Sequence, residues 1–218
     1  MRRFHAVFLA LALALPVAAA ELPAPLASHY PDRDSQAQVR VAQLEEDTRF
    51  RQLQRQAKRG HLSSGGLAAL AFGYTLRGDV EQAKANLERA RTYAGRRTAQ
   101  LRHVLWSAGW SELNLGNYGA AADAWSESAR LHGGQPFWLP YSMAVLAELD
   151  GQRDLAVRWY AAAVRSQARW GHAEGVARST SYWQRKERSA MDRVFNAWQA
   201  SEQGKTGAPA TVLESEAG

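Results

Sequence analysis

The chain has 218 residues, of which 46% are apolar and 22% charged, with no cysteine and a net charge of +6. This is ordinary composition for a globular protein, and without thiols it excludes both disulfides and thiolate metal sites. Arginine outnumbers lysine 23 to 4, but the excess is spread along the chain rather than gathered in one stripe, so the basic balance does not select nucleic acid as a partner.

The first element is a targeting segment. Arg2 and Arg3 precede the apolar run AVFLALALALPVAAA, and Ala18 and Ala20 put small residues where signal peptidase needs them. Residues 1–20 are read as a signal peptide cleaved after Ala20, and the mature protein as periplasmic. The apolar stretch is short for a membrane span. Cleavage removes two of the 27 basic residues and no acidic one, leaving a mature charge of +4 and no integral membrane segment.

Residues 21–32, ELPAPLASHYPD, are proline-rich and predict an extended linker. Residues 33–60 carry an amphipathic helical pattern, with Ala37, Val41 and Leu44 on one face and Phe50, Leu53 and Ala57 continuing it. His61 to Gly66 breaks that helix. From Ser64 onward helical segments alternate with short turns marked by Gly78, Gly116 and Gly151, which are 38 and 35 residues apart. Such a period signals stacked helical hairpins, and no stretch shows the alternation of a half-buried strand, so the chain is expected to be all-α.

Glycine ends a helix in the left-handed conformation at no Cβ cost, and Asp79, Asn117 and Asp154 are placed to accept backbone N–H bonds at the next helix start. Pro136 suits a helix start, and Pro140 makes the following helix begin late or bend. Residues 171–203 predict one or two closing helices, and residues 204–218, small and polar, predict a disordered tail.

Three units, 64–97, 102–135 and 137–170, resemble tetratricopeptide repeats, helix pairs of about 34 residues. The first carries Leu67, Leu70, Ala71, Tyr74, Gly78, Ala83, Leu87 and Ala90; the second Leu105, Ala108, Gly109, Gly116, Tyr118, Ala121, Trp125 and Ser128; the third Met143, Ala144, Ala147, Gly151, Ala156, Tyr160 and Ala163. The second departs with Glu112 where the family prefers Tyr, and the third with Pro140 at a large apolar position. The resemblance implies an α-solenoid capped by the flanking helices, since one hairpin cannot bury its apolar face alone.

No pattern for chemistry accompanies this. His132-Gly133-Gly134 has no nucleophile elbow beside it, the six histidines never fall at HxxxH spacing, and no phosphate loop is present. Neither a cofactor, a metal nor an enzymatic activity is expected. Trp125, Trp159 and Trp183 are read as core. The resemblance places the first helix of each pair on an inner, concave wall, which implies partner-binding positions at Phe72, His103, Trp106, Trp110, Asn114, Trp138, Tyr141 and Glu148. Trp106 and Trp110, four apart, share a helix face. Aromatic side chains so placed either anchor a peptide in a groove or fill the core, and the sequence admits both. The function read from it is an adaptor holding a peptide or a segment of another envelope protein. The alternative is a structural, self-associating component of an envelope complex.

Overall fold

Gly78, Gly116 and Gly151 take φ of 75°, 81° and 81°, and each closes its helix with the same two bonds. The glycine N–H reaches the carbonyl three residues back (Thr75, Leu113, Glu148), and the next N–H reaches five back (Tyr74, Glu112, Ala147), all at 2.8–3.2 Å. This double bond satisfies carbonyls that a helix end otherwise leaves orphaned. A shared stop signal therefore produces three similar reversals of the chain.

The computed structural model describes residues 20–38 and 47–207. The expected signal peptide up to residue 19, the part of the expected N-terminal helix at 39–46 and the expected tail beyond 207 lie outside them. The described residues are helical and contain no strand; one isolated bridge pairs Asp32 with Pro136. After a 3-10 turn at Ser35–Gln38 come α1 (Asp47–Lys58), α2 (Ser64–Thr75), α3 (Val80–Ala94), α4 (Thr98–Leu115), α5 (Tyr118–His132), α6 (Leu139–Leu149) and α7 (Arg153–Ser166). A 3-10 turn at Ala168–Gly171 leads to α8 (Ala173–Thr180) and α9 (Arg185–Gly207). The protein is all-α. Among the described residues no helix is long and apolar enough to cross a membrane.

Two of these boundaries differ from the sequence reading. Residues 35–38 form a 3-10 turn rather than α-helix, and α9 runs four residues into the expected tail. The third hairpin begins late, as Pro140 led the reading to expect: α6 starts at Leu139 with Pro140 in its first turn. There the missing N–H of proline costs nothing. The expected caps divide. Asp79 accepts from the Gln82 N–H at 3.1 Å. Asn117 instead donates to Glu112 Oε2 at 2.8 Å, and Asp154 lies inside the first turn of α7, which Gln152 precedes without a side-chain cap.

The helices pack as α2/α3, α4/α5 and α6/α7. Small residues let them approach: Ala71, Ala83, Ala90, Ala108 and Ala121 are fully buried, and Ser128 Oγ donates to the Arg102 carbonyl at 3.0 Å. The first pair lies against the second through α2, α3 and α4. The second meets the third mainly through α5 and α6, so α4 and α6 are set apart, and α6 is backed by α9 instead.

The expected linker is extended but bound. Trp159 Nε1 donates to the Pro23 carbonyl (2.8 Å), Arg165 Nε to the Ser28 carbonyl (2.8 Å) and the Tyr30 N–H to Ser166 Oγ (2.8 Å). Asp32 then exchanges backbone bonds with Gln135 and Phe137, both 3.0 Å. This strap follows α7 and ends at Asp34, beside α4.

Candidate functional site: an aromatic cavity

Where α4 and α6 separate, the chain leaves a cavity of about 530 Å³. Four of the residues that the concave-wall reading singled out line it: Phe72 of α2, Trp106 and Trp110 of α4, and Tyr141 of α6. Each is only 3–8% exposed, so the space beside them is a recess and not an open trough. The C-terminal segment closes it, contributing Trp170, Tyr182 and Trp183 to the wall and Arg169 and Arg178 at exposed positions.

The rings form one continuous set. Trp183 lies 5.0 Å from Trp110 and 5.8 Å from Tyr141, centroid to centroid. Trp170 is 5.0 Å from Tyr141, and Trp110 meets Trp125 edge-on at 5.0 Å. Such tilted and edge-to-face pairs add to apolar burial. Trp183 thus bridges α4 and α6 across the gap: the sequence reading of it as core holds for its burial, at 6% exposure, but it also forms cavity wall.

The other four candidates do not line the cavity. His103 is half-buried on α4, its ring stacked near Trp106 at 6.2 Å. Asn114 Nδ2 donates to the Trp110 carbonyl (2.9 Å) and to Glu187 Oε1 (2.6 Å), which makes it a support for the wall. Trp138 is a correction: it is fully buried, and Nε1 donates to Asp34 at 3.1 Å, so no face is open to a partner. Glu148 is the second correction. Its carboxylate accepts from Arg153 (2.7 Å) and from Arg193 of α9 (2.7 Å), so it is engaged within the fold.

Electrostatics follow from burial. Glu187 stands on the wall in the first turn of α9, its Oε2 accepting from the Gln184 N–H at 2.8 Å. This is the reach-back half of a capping box. Burial nevertheless raises its pKa above the ordinary value, against the opposing pull of Asn114, Gln184, Lys186 and Arg188. Burial likewise pushes the Tyr141 hydroxyl far up, the positive charge of Arg169 opposing. Lys186, its pKa lowered by burial, donates to the Leu113 and Asn114 carbonyls (3.3 and 2.9 Å) at the C-terminal end of α4, where a cation suits the helix dipole.

No family model, curated protein or solved structure matches this chain.

What the cavity can do must therefore be argued from its own residues. Among the described residues no group of three or more His, Cys, Asp or Glu could hold a metal ion, and the only acid on the wall has both oxygens engaged. The wall is built for contact: large rings, amide support behind them, and cations at the exposed edge. Sequence reasoning missed most of the C-terminal contribution because Gly175 to Glu187 lies past the third expected unit, which ends at Trp170. The available signal was the aromatic density of RWGHAEGVARSTSYW, which is unusual for a mere cap.

Proposed function

We propose that this protein is a periplasmic, tetratricopeptide-like interaction module without enzymatic activity. It binds a segment of another envelope protein by taking an apolar anchor side chain at the aromatic cavity. The observation that carries this is the convergence of Phe72, Trp106, Trp110 and Tyr141, from three helices, on one hollow. Three similar glycine-closed reversals and the paired helices support the repeat reading. Buried aromatic pockets are where interfaces concentrate their energy, and the arginines at the mouth favour acidic neighbours of the anchor. Because residues between 169 and 187 wall one side of the cavity, the bound segment is short.

The test is a photo-crosslinking side chain at Arg178, beside the cavity, compared with one at Glu81, in the first turn of α3, in envelope extract. A discrete protein adduct from the first position alone supports the module. Equal adducts from both, or none, removes it. Mass that rises with concentration on sedimentation would instead favour the self-assembling alternative.

A further inference from the structure

The strap is bonded from its first described residue. The Ala20 N–H donates to Asp150 Oδ2 at 3.0 Å, and the Ala20 carbonyl accepts from Gln152 Nε2 at 2.6 Å. Gln152 Nε2 also donates to the same Asp150 oxygen at 2.7 Å. Acid and amide thus form one clamp, set in the turn between α6 and α7, and the residue it holds is Ala20 itself. On the other side the Ala20 methyl faces α5, where a Cβ added at Gly119 would lie 3.9 Å away.

Among the described residues, no Lys, Arg or His pairs with Asp150. It is half-buried and stands at the C-cap of α6, where the helix dipole disfavours an anion and favours a cation. Both donors to its carboxylate are neutral amides. Its charge reaches Tyr118, whose pKa is raised by burial first and by Asp150 second. A half-buried carboxylate at a helix C-terminus, held against a backbone nitrogen, suits an ammonium better than an amide, because a charged donor makes the stronger bond.

We propose that signal peptidase cuts between Ala19 and Ala20, and that Asp150 and Gln152 capture Ala20 as the mature N-terminus. Hydrolysis adds water across that amide: the C–N bond breaks, Ala19 leaves as a carboxylate and the Ala20 nitrogen becomes an ammonium. Cutting there leaves Ala19 at the scissile bond and Val17 two residues before it, where the later cut has Ala20 and Ala18. The cleavage pattern favours the later bond, and the clamp favours the earlier one. Cutting after Ala20 discards both bonds of the clamp. Cutting before it keeps both and turns one into an ion pair. The captured terminus fixes the near end of the strap, whose far end at Asp34 holds Arg102 and Trp138. The proposal rests on reading the N-terminal segment as an export signal, and not on the adaptor reading of the cavity.

The first test is the mass of the protein released into the periplasm when the full chain is exported by a bacterial host. A start at Ala20 is expected. A start at Glu21, lighter by one alanine residue, overturns the capture and leaves the export reading standing, whereas an uncut chain overturns both. The second test is urea unfolding of chains starting at Ala20 with a free or an acetylated amine. Acetylation keeps an amide N–H at Ala20, so the comparison isolates the charge. The free amine is expected to lower the unfolding constant about fivefold, and that gain is expected to vanish in Asp150→Asn. Equal stability of the free and acetylated chains, or a gain that survives Asp150→Asn, overturns the pairing. If Asp150→Asn fails to fold, the mass and the acetylation comparison still decide.

Discussion

Trp138 Nε1 donates to Asp34 Oδ2 at 3.1 Å where neither side chain reaches solvent, the ring being fully buried and the acid 2% exposed. The other oxygen of Asp34 pairs with Arg102 of α4. One carboxylate at the end of the strap thus ties α4 to the start of α6, the two elements that flank the cavity. Removing it leaves a largely buried guanidinium and an indole N–H without their partner. Asp34→Ala is expected to cost about 3–5 kcal/mol, as for a buried pair broken from one side. Asp34→Asn, which keeps one acceptor, should cost clearly less. Urea unfolding of the two variants measures the difference, and equal losses would mean that the acceptor kept by asparagine contributes nothing and the negative charge carries the whole interaction.

Gly109 lies mid-helix in α4, where Ala is normally favoured by about 1 kcal/mol. Here the sign should reverse. A Cβ at this position would overlap Nε1 and Cδ1 of Trp125, which is fully buried and donates to the Trp106 carbonyl at 3.1 Å. Displacing that indole also disturbs Trp110, packed on it at 5.0 Å. Gly109→Ala is therefore expected to destabilise by about 1–3 kcal/mol, the usual range for overpacking. A raised melting temperature would show that α4 and α5 can separate freely.

The helical hairpins were legible because their signals are local. Gly78, Gly116 and Gly151 act through bonds within six residues, and Ala121 or Ser128 must be small whatever the partner helix. Helical spacing alone put Trp106 and Trp110 on one face; Phe72 and Tyr141 joined them only through the resemblance to the repeat family, which implied an inner wall, and all four border the cavity. Trp138 and Glu148 were not legible, because Asp34 and Arg193, which engage them, come from distant parts of the chain. Asp34 lies 104 residues from Trp138 and Arg193 lies 45 from Glu148, and periodicity says nothing about which segment returns to cover a face. Most of the cover, residues 171–187, lies beyond the expected repeat units and so gave no register to extend. Glu112, where an aromatic is usual in the repeat family, is half-buried and bonded to Asn117, while among the described residues the buried acids are Asp34, Glu148 and Glu187.

Glu187 gives stability a dependence on pH whose sign can be worked out. Burial raises its folded pKa above the ordinary 4.5. As pH rises through that region the unfolded chain releases the proton first, so the folded state holds more protons than the unfolded one. Stability must then fall with rising pH until the folded group has ionised as well. The groups acting on it are Asn114 from α4, the Gln184 N–H, and the cations Lys186 and Arg188. Relative to Glu187→Gln, the wild-type chain should lose stability as pH climbs from 4.5 toward neutrality. Unfolding midpoints of both proteins across that interval test this, and parallel curves would show that Glu187 titrates as it does in water.

Trp106 and Trp125 offer a direct probe of the cavity. Both are buried, at 6% and 0% exposure, and a tryptophan enclosed on all sides costs about 3–5 kcal/mol when cut to alanine. Trp125→Ala is expected to show that full loss. Trp106 borders empty space, so part of its surface has no packing to forfeit, and Trp106→Ala should cost less than Trp125→Ala. The measurement is the difference in unfolding free energy between the two variants. Equal losses would mean that the ring at 106 is enclosed like the one at 125 and that no usable hollow lies beside it.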